Sequence, residues 1–200
     1  MGKTVLFREF EERDTEFIYK CKNDKDLNRL IVGSFHPISY DEARNWVHGC
    51  MGEHESYKYW AICTNDDEQR IVGWISLSSI DRVNNSADFH GIVIGDPAYR
   101  DGFAWIESYL FIYDYAFEVL KLNRVYGHSR IDHHASQMTH KLFHVTEEGV
   151  LRQSVFKDGK YIDVTISSIL RSEYLKFKSE GEYEMKSVLQ RIKMIKKSNK

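Results

Sequence analysis

The stretch ADFHGIVIGDPAYRDGFAWIESY, residues 87–109, decides the fold. Residues 87–95 read as a strand, and Gly95-Asp96-Pro97 stops it. Arg100-Asp101-Gly102 then introduces a long helix, with Phe103, Ile106, Leu110, Phe117 and Leu120 along one face. A helix entered through a glycine turn presents free backbone N–H groups, and such an N-terminus binds phosphate. Arg100 adds a positive charge beside the turn. An ordinary strand–helix connection has the same spacing.

Upstream, residues 4–10 read as a strand. Residues 14–31 carry Phe17, Ile18, Cys21, Leu27, Leu30 and Ile31 at helical spacing. Beyond Pro37, residues 39–51 form a second helix, with Ser39 as N-cap and Glu42 completing a capping box. Residues 57–64 and 70–78 are two strands joined by the polar turn Asn65-Asp66-Asp67-Glu68. With 87–95 they make a meander. Downstream come a strand at 124–130, a short helix at 135–143, and a hairpin of 149–156 with 161–170 around Lys157-Asp158-Gly159-Lys160. The order β-α-α-β-β-β-α-β-α-β-β predicts an α+β domain whose helices cover a sheet. That domain is expected over residues 1–176, with 177–200 as a separate appendage. In it Met185, Val188, Leu189, Ile192 and Ile195 make one apolar helix face opposite a basic one.

The chain has 200 residues, 42% hydrophobic and 29% charged, which suits one globular domain and excludes disorder as its main state. Its apolar runs are all broken well short of the ~20 residues of a membrane-spanning helix. The opening MGKTVLFREFEERD turns acidic where a secretory leader is apolar. Cys21, Cys50 and Cys63 are odd in number with no paired spacing, which predicts reduced thiols and a cytoplasmic location. The net charge of −2 is unevenly spread: residues 186–200 hold six basic and no acidic residues, leaving −8 on the rest. An acidic body is a poor non-specific nucleic-acid binder and suits cationic substrates. The basic helix packs on its own domain, on a dimer mate, or on a ribosomal or RNA partner.

Several titratable residues are candidates for chemistry. Asp88 and His90 are in phase on one strand, so alternation turns both to one face of the sheet. Each is a candidate base, against the plainer reading of a surface pair and a satisfied polar residue. His128, His133, His134, His140 and His144 cluster, and His140 and His144 stand i, i+4 as metal ligands do. Without a cysteine pair or a His-Glu-x-x-His motif, no metal site is predicted, and metal binding through this cluster stays an alternative. Cys63 lies in an apolar strand and reads as core.

The stretches Tyr59–Ile62 (YWAI), Ile71–Arg82 (IVGWISLSSIDR), Ala87–Tyr99 (ADFHGIVIGDPAY), Tyr113–Tyr126 (YDYAFEVLKLNRVY) and Glu148–Tyr161 (EGVLRQSVFKDGKY) are similar, in order and spacing, to the GNAT N-acetyltransferase superfamily. The resemblance is to its branch of ribosomal-protein N-terminal acetyltransferases and spermidine acetyltransferases, and it covers roughly residues 4–175. It implies a central mixed, mostly antiparallel sheet, splayed where the donor enters, with helices on both faces. It also implies acetyl transfer from acetyl-CoA, as co-substrate, to a primary amine by direct attack in a ternary complex. A protonated alkylamine has a pKa of ~10, so a base must first take its proton.

On this resemblance Ile92, Val93 and Ile94 hold the pantetheine and polarise the thioester, while Arg100, Asp101, Gly102, Phe103, Ala104 and Trp105 cradle the pyrophosphate. His133 and Ser136 add further contacts to the coenzyme. Asp88, at a position commonly glutamate in the spermidine branch, or His90 serves as base. His140 stands where the family's acid, a tyrosine, usually does. The chain departs from the pattern in three further places. Arg100 precedes Gly102 by two residues instead of three, with Tyr99 in the place of arginine or glutamine; His133 replaces an asparagine; and His144-Val145 replaces Gly-Phe. The shortened loop and the missing tyrosine leave a catalytically silent binding module as a second alternative. A protein N-terminus, a polyamine and an amino sugar all fit as acceptor, and Phe35, Tyr40, Trp46 and Tyr57 are candidates for an aromatic lining of its pocket, against the plainer reading that most of them are core.

Overall fold

A computed structural model describes residues 4–33 and 35–198; Lys200 of the basic tail lies outside them. Seven strands form one sheet: β1 Val5–Arg8, β2 Lys58–Thr64, β3 Ile71–Asp81, β4 Ser86–Ile94, β5 Arg124–Arg130, β6 Thr146–Lys157 and β7 Lys160–Leu170. Their order across the sheet is β1-β2-β3-β4-β5-β7-β6. Every neighbouring pair is antiparallel except β4 and β5. The sheet is thus mixed and mostly antiparallel, as its sequence implies.

Strand alternation sends side chains to two separate cores. Ala61, Cys63 and Trp74 pack against Ile18 and Cys21 of α1 (Thr15–Asn23) and Ala43, Val47 and Cys50 of α2 (Tyr40–Cys50). Ile62, Ile75 and Leu77 turn the other way. They meet Ile106, Ile112 and Tyr113 of α3 (Phe103–Asp114) and Leu142 of α4 (His134–Leu142). Tyr174 of α5 (Arg171–Ser179) and Val188 of α6 (Met185–Ser198) complete this second core. All three cysteines are buried and free.

Local chemistry sets the element ends. The predicted capping box of α2 is present: Ser39 Oγ accepts from the Glu42 amide at 3.2 Å, and Glu42 Oε2 accepts from the Ser39 amide at 2.7 Å. The helix expected to reach residue 31 stops at Asn23. There the Asn23 side chain donates to the Ile38 carbonyl at 3.0 Å and accepts from the Ile38 amide at 2.9 Å. Asp24 Oδ1 accepts from the amides of Asp26 and Leu27, a local bond that turns the chain out of the helix. The described residues 24–33 and 35–38 therefore connect α1 to α2 without continuing the helix.

Residue 176 falls inside α5, and α6 packs on its own domain. Val188 is fully buried, Tyr183 donates to the Phe143 carbonyl at 2.7 Å, and Arg191 Nε donates to the Leu142 carbonyl at 3.0 Å. Among the described residues no helix is long and apolar enough to cross a membrane.

Candidate active site

β4 and β5 pair only from Ser86 to Asp88, opposite Arg124 to Tyr126. Beyond that point the strands part. A bulge in β4 accompanies the split: Leu77 of β3 faces Phe89 and Ser76 faces Gly91, so His90 is the extra residue. Gly91 takes φ +107°, which a residue with a Cβ rarely adopts. The gap opens a cleft of about 770 Å³. It reaches from Trp46 and Trp74 on the α1–α2 side to Tyr109, Thr139 and His140 on the α3–α4 side.

Asp88 sits at the fork. Its Oδ2 lies 3.6 Å from His128 Nδ1 of β5. Burial pushes the carboxyl above its ordinary pKa, while His128 and His90 pull it back. The register of β4 and β5 brings this pair together: Tyr126 faces Asp88, and His128 follows one alternation later. His90 is exposed and lines the same cleft, but the in-phase alternation expected with Asp88 is broken by the bulge.

On the far side, His140 Nε2 is 3.1 Å from Ser167 Oγ of β7, and burial lowers its pKa against the opposing charge of Glu147. His133 caps α4, its Nδ1 accepting from the Ser136 amide at 3.1 Å. That bond requires an unprotonated Nδ1, and burial lowers the pKa of the ring in the same sense. His144 does not share a helix face with His140. α4 ends at Leu142, and His144 takes φ +55°, stacks on Phe177 at 3.9 Å and lies 3.5 Å from Glu182. Among the described residues no group of three or more His, Cys, Asp or Glu side chains is placed to hold a metal.

The strand–helix loop stands at the end of β4. Arg100 folds back, with Nε donating to the Ile94 carbonyl at 2.9 Å and Nη2 to the Gly95 carbonyl at 2.8 Å. Asp101 Oδ1 accepts from the Phe103 amide at 3.0 Å, and Gly102 turns the chain into α3 at φ +97°. Of the residues assigned to the coenzyme, Ile92, Val93, Ile94, Trp105, His133 and Ser136 line the cleft, together with Asp88, His90 and His140. Arg100 and Asp101 precede α3, Gly102 is its N-cap, and Phe103 and Ala104 open it.

On the α1–α2 side the aromatic candidates divide. Phe35 and Trp46 line the cleft, joined by Tyr59 and Trp74. Tyr40 instead packs edge-on to Tyr19, and Tyr57 stacks on His54 and donates to the Gly49 carbonyl. The loop over this side is tied down from behind. Lys157 Nζ donates to the carbonyls of Asn28, Ile31 and Gly33 at 2.9, 2.8 and 3.1 Å. Arg130, paired with Asp132, donates to the Arg29 carbonyl at 2.8 Å. His128, Lys157 and Arg130 are the residues sequence reasoning did not place at the site. Alternation along β5 puts His128 and Arg130 on one face, which was the available signal for two of them.

The family model for the acetyltransferase (GNAT) domain matches residues 4–142. The chain belongs to this family and is an acyltransferase, an N-acetyltransferase dependent on acetyl-CoA. It is 25% identical over 177 residues to spermidine N(1)-acetyltransferase of Vibrio cholerae, an alignment covering 88% of this chain and 98% of that one. It is 24% identical over 169 residues to the uncharacterized N-acetyltransferase YoaA of Bacillus subtilis, covering 84% and 93%. Among solved structures, the Vibrio cholerae spermidine N-acetyltransferase in complex with CoA and spermine shares the fold. The TM-score is 0.75 at 23% identity, with 86% of this chain and 98% of that one covered.

Proposed function

We propose that acetyl transfer to a primary amine takes place at the fork of β4 and β5, with the amine entering from the α1–α2 side. The observation that carries this reading is the half-buried Asp88 beside His128 where the strands part. The amine nitrogen attacks the thioester carbonyl carbon; the C–N bond forms, the C–S bond breaks, and the coenzyme leaves as a thiolate. Asp88, with His128 and His90 within its field, takes the proton that the amine gives up. Ile92 to Ile94 lie where β4 has no facing β5 residue in register, so that edge is free for pantetheine and for polarising the thioester. The turn into α3 and its first residues, 100–105, serve the pyrophosphate through backbone N–H groups other than those of Arg100 and Phe103, which are already bonded within the turn, and His133 and Ser136 flank it at the start of α4. His140 returns a proton to the sulfur from its imidazolium fraction, which grows toward low pH.

The acetyltransferase relatives make a polyamine one acceptor class to test; a protein N-terminus and an amino sugar are the others. The test is thiol release from acetyl-CoA with a primary-amine panel, using wild type and Asp88→Asn. Loss of the base predicts a fall in kcat of about 100-fold or more, with KM for acetyl-CoA unchanged. An Asp88→Asn variant as fast as wild type overturns the assignment of the base.

A further inference from the structure

We infer that the acceptor is a primary monoamine with a flat apolar body, and not a polyamine. This inference rests on the transferase reading above. Among the described residues lining the cleft, Asp88 is the one carboxylate. Its task is the proton of the reacting nitrogen, which leaves no second anion for another ammonium group. The acidic residues that give the body its negative charge stand outside the cleft, where they draw amines toward the molecule without fixing their length. A buried ammonium group with no anionic or carbonyl partner is costly, so a substrate carrying two or three of them is disfavoured.

The charges that are present point the same way. Lys22 lines the cleft on the α1–α2 side, its Nζ 4.1 Å from the centre of the Trp46 ring. It occupies the aromatic face that would otherwise hold a substrate cation, and it repels one placed nearby. Lys157, 8% exposed and outside the cleft lining, is held by the carbonyls of Asn28, Ile31 and Gly33 in the covering loop, and so adds no anion to the cleft. What the wall offers instead is Phe35, Trp46, Tyr59 and Trp74, a surface suited to an aromatic or flat aliphatic body.

The experiment compares kcat/KM for phenethylamine and spermidine by thiol release, in wild type and in Lys22→Glu, with acetyl-CoA binding followed separately by calorimetry. The wild type should favour phenethylamine by about 10-fold or more, and Lys22→Glu should move the ratio about 10-fold toward spermidine. Spermidine used as well as phenethylamine by the wild type overturns the inference, as does a ratio that Lys22→Glu leaves unmoved. Turnover of neither amine while acetyl-CoA binds also overturns it and leaves the transferase reading standing. Failure of acetyl-CoA to bind strikes the transferase reading itself.

Discussion

Asp88 and His128 define what a single residue contributes here. A carboxyl held above its ordinary pKa by burial keeps its proton to a higher pH than a solvated aspartate, so its base form is lost sooner as pH falls. His128 opposes that shift. Removing it by His128→Asn should therefore raise the Asp88 pKa further and move the acid limb of kcat/KM to higher pH. A limb that stays in place or moves to lower pH shows that His128 does not act on Asp88. The place of Asp88 on its strand and of His140 on its short helix were legible in the sequence. The pairing with His128 was not, because a parallel register joins two strands separated by the whole of α3. The bulge at His90 was equally hidden. It trades one alternation for a kink, and a string of residues read at period two carries no mark of it.

At the scale of elements, the segment after Asn23 shows how local signals mislead and distant ones decide. Leu27, Leu30 and Ile31 extend the helical spacing of α1, yet the bonds of Asn23 and Asp24 end the helix early. The freed segment becomes the wall of the cleft, and Lys157, read from sequence only as part of a hairpin turn, fixes it from the far end of β6. Lys157→Met should remove a donor from three carbonyls, of which that of Asn28 keeps its bond from the Ile31 amide, and cost about 1–3 kcal/mol in denaturant unfolding. Its kinetic effect should fall on the amine: KM for the acceptor rises several-fold while KM for acetyl-CoA holds. A rise confined to acetyl-CoA would show that the loop does not shape the acceptor side. By contrast, the capping box of α2, the strand β5 and the Asp-Gly hairpin were fully legible, since each is set by residues within a few positions of one another.

The whole molecule is a sheet with a core on each face and a cleft that joins the two sides. The α3–α4 core extends into the C-terminal helices. Val188, Leu189 and Ile192 of α6 pack there, although the basic face of that helix set it apart in sequence. Ending the chain after Glu184 removes these three side chains. At about 1.5 kcal/mol each, the loss should lower Tm by about 10 °C. An unchanged Tm would mean that α6 contributes nothing to the fold. On the function proposed above, the donor enters the fork from this α3–α4 side, past a loop in which Arg100 is folded back and Asp101 already engages the first amide of α3. The most direct test of that claim is calorimetric titration of the full chain with acetyl-CoA, with CoA and dephospho-CoA as controls. Saturable binding in the micromolar range is the predicted result; no binding at millimolar acetyl-CoA would contradict it.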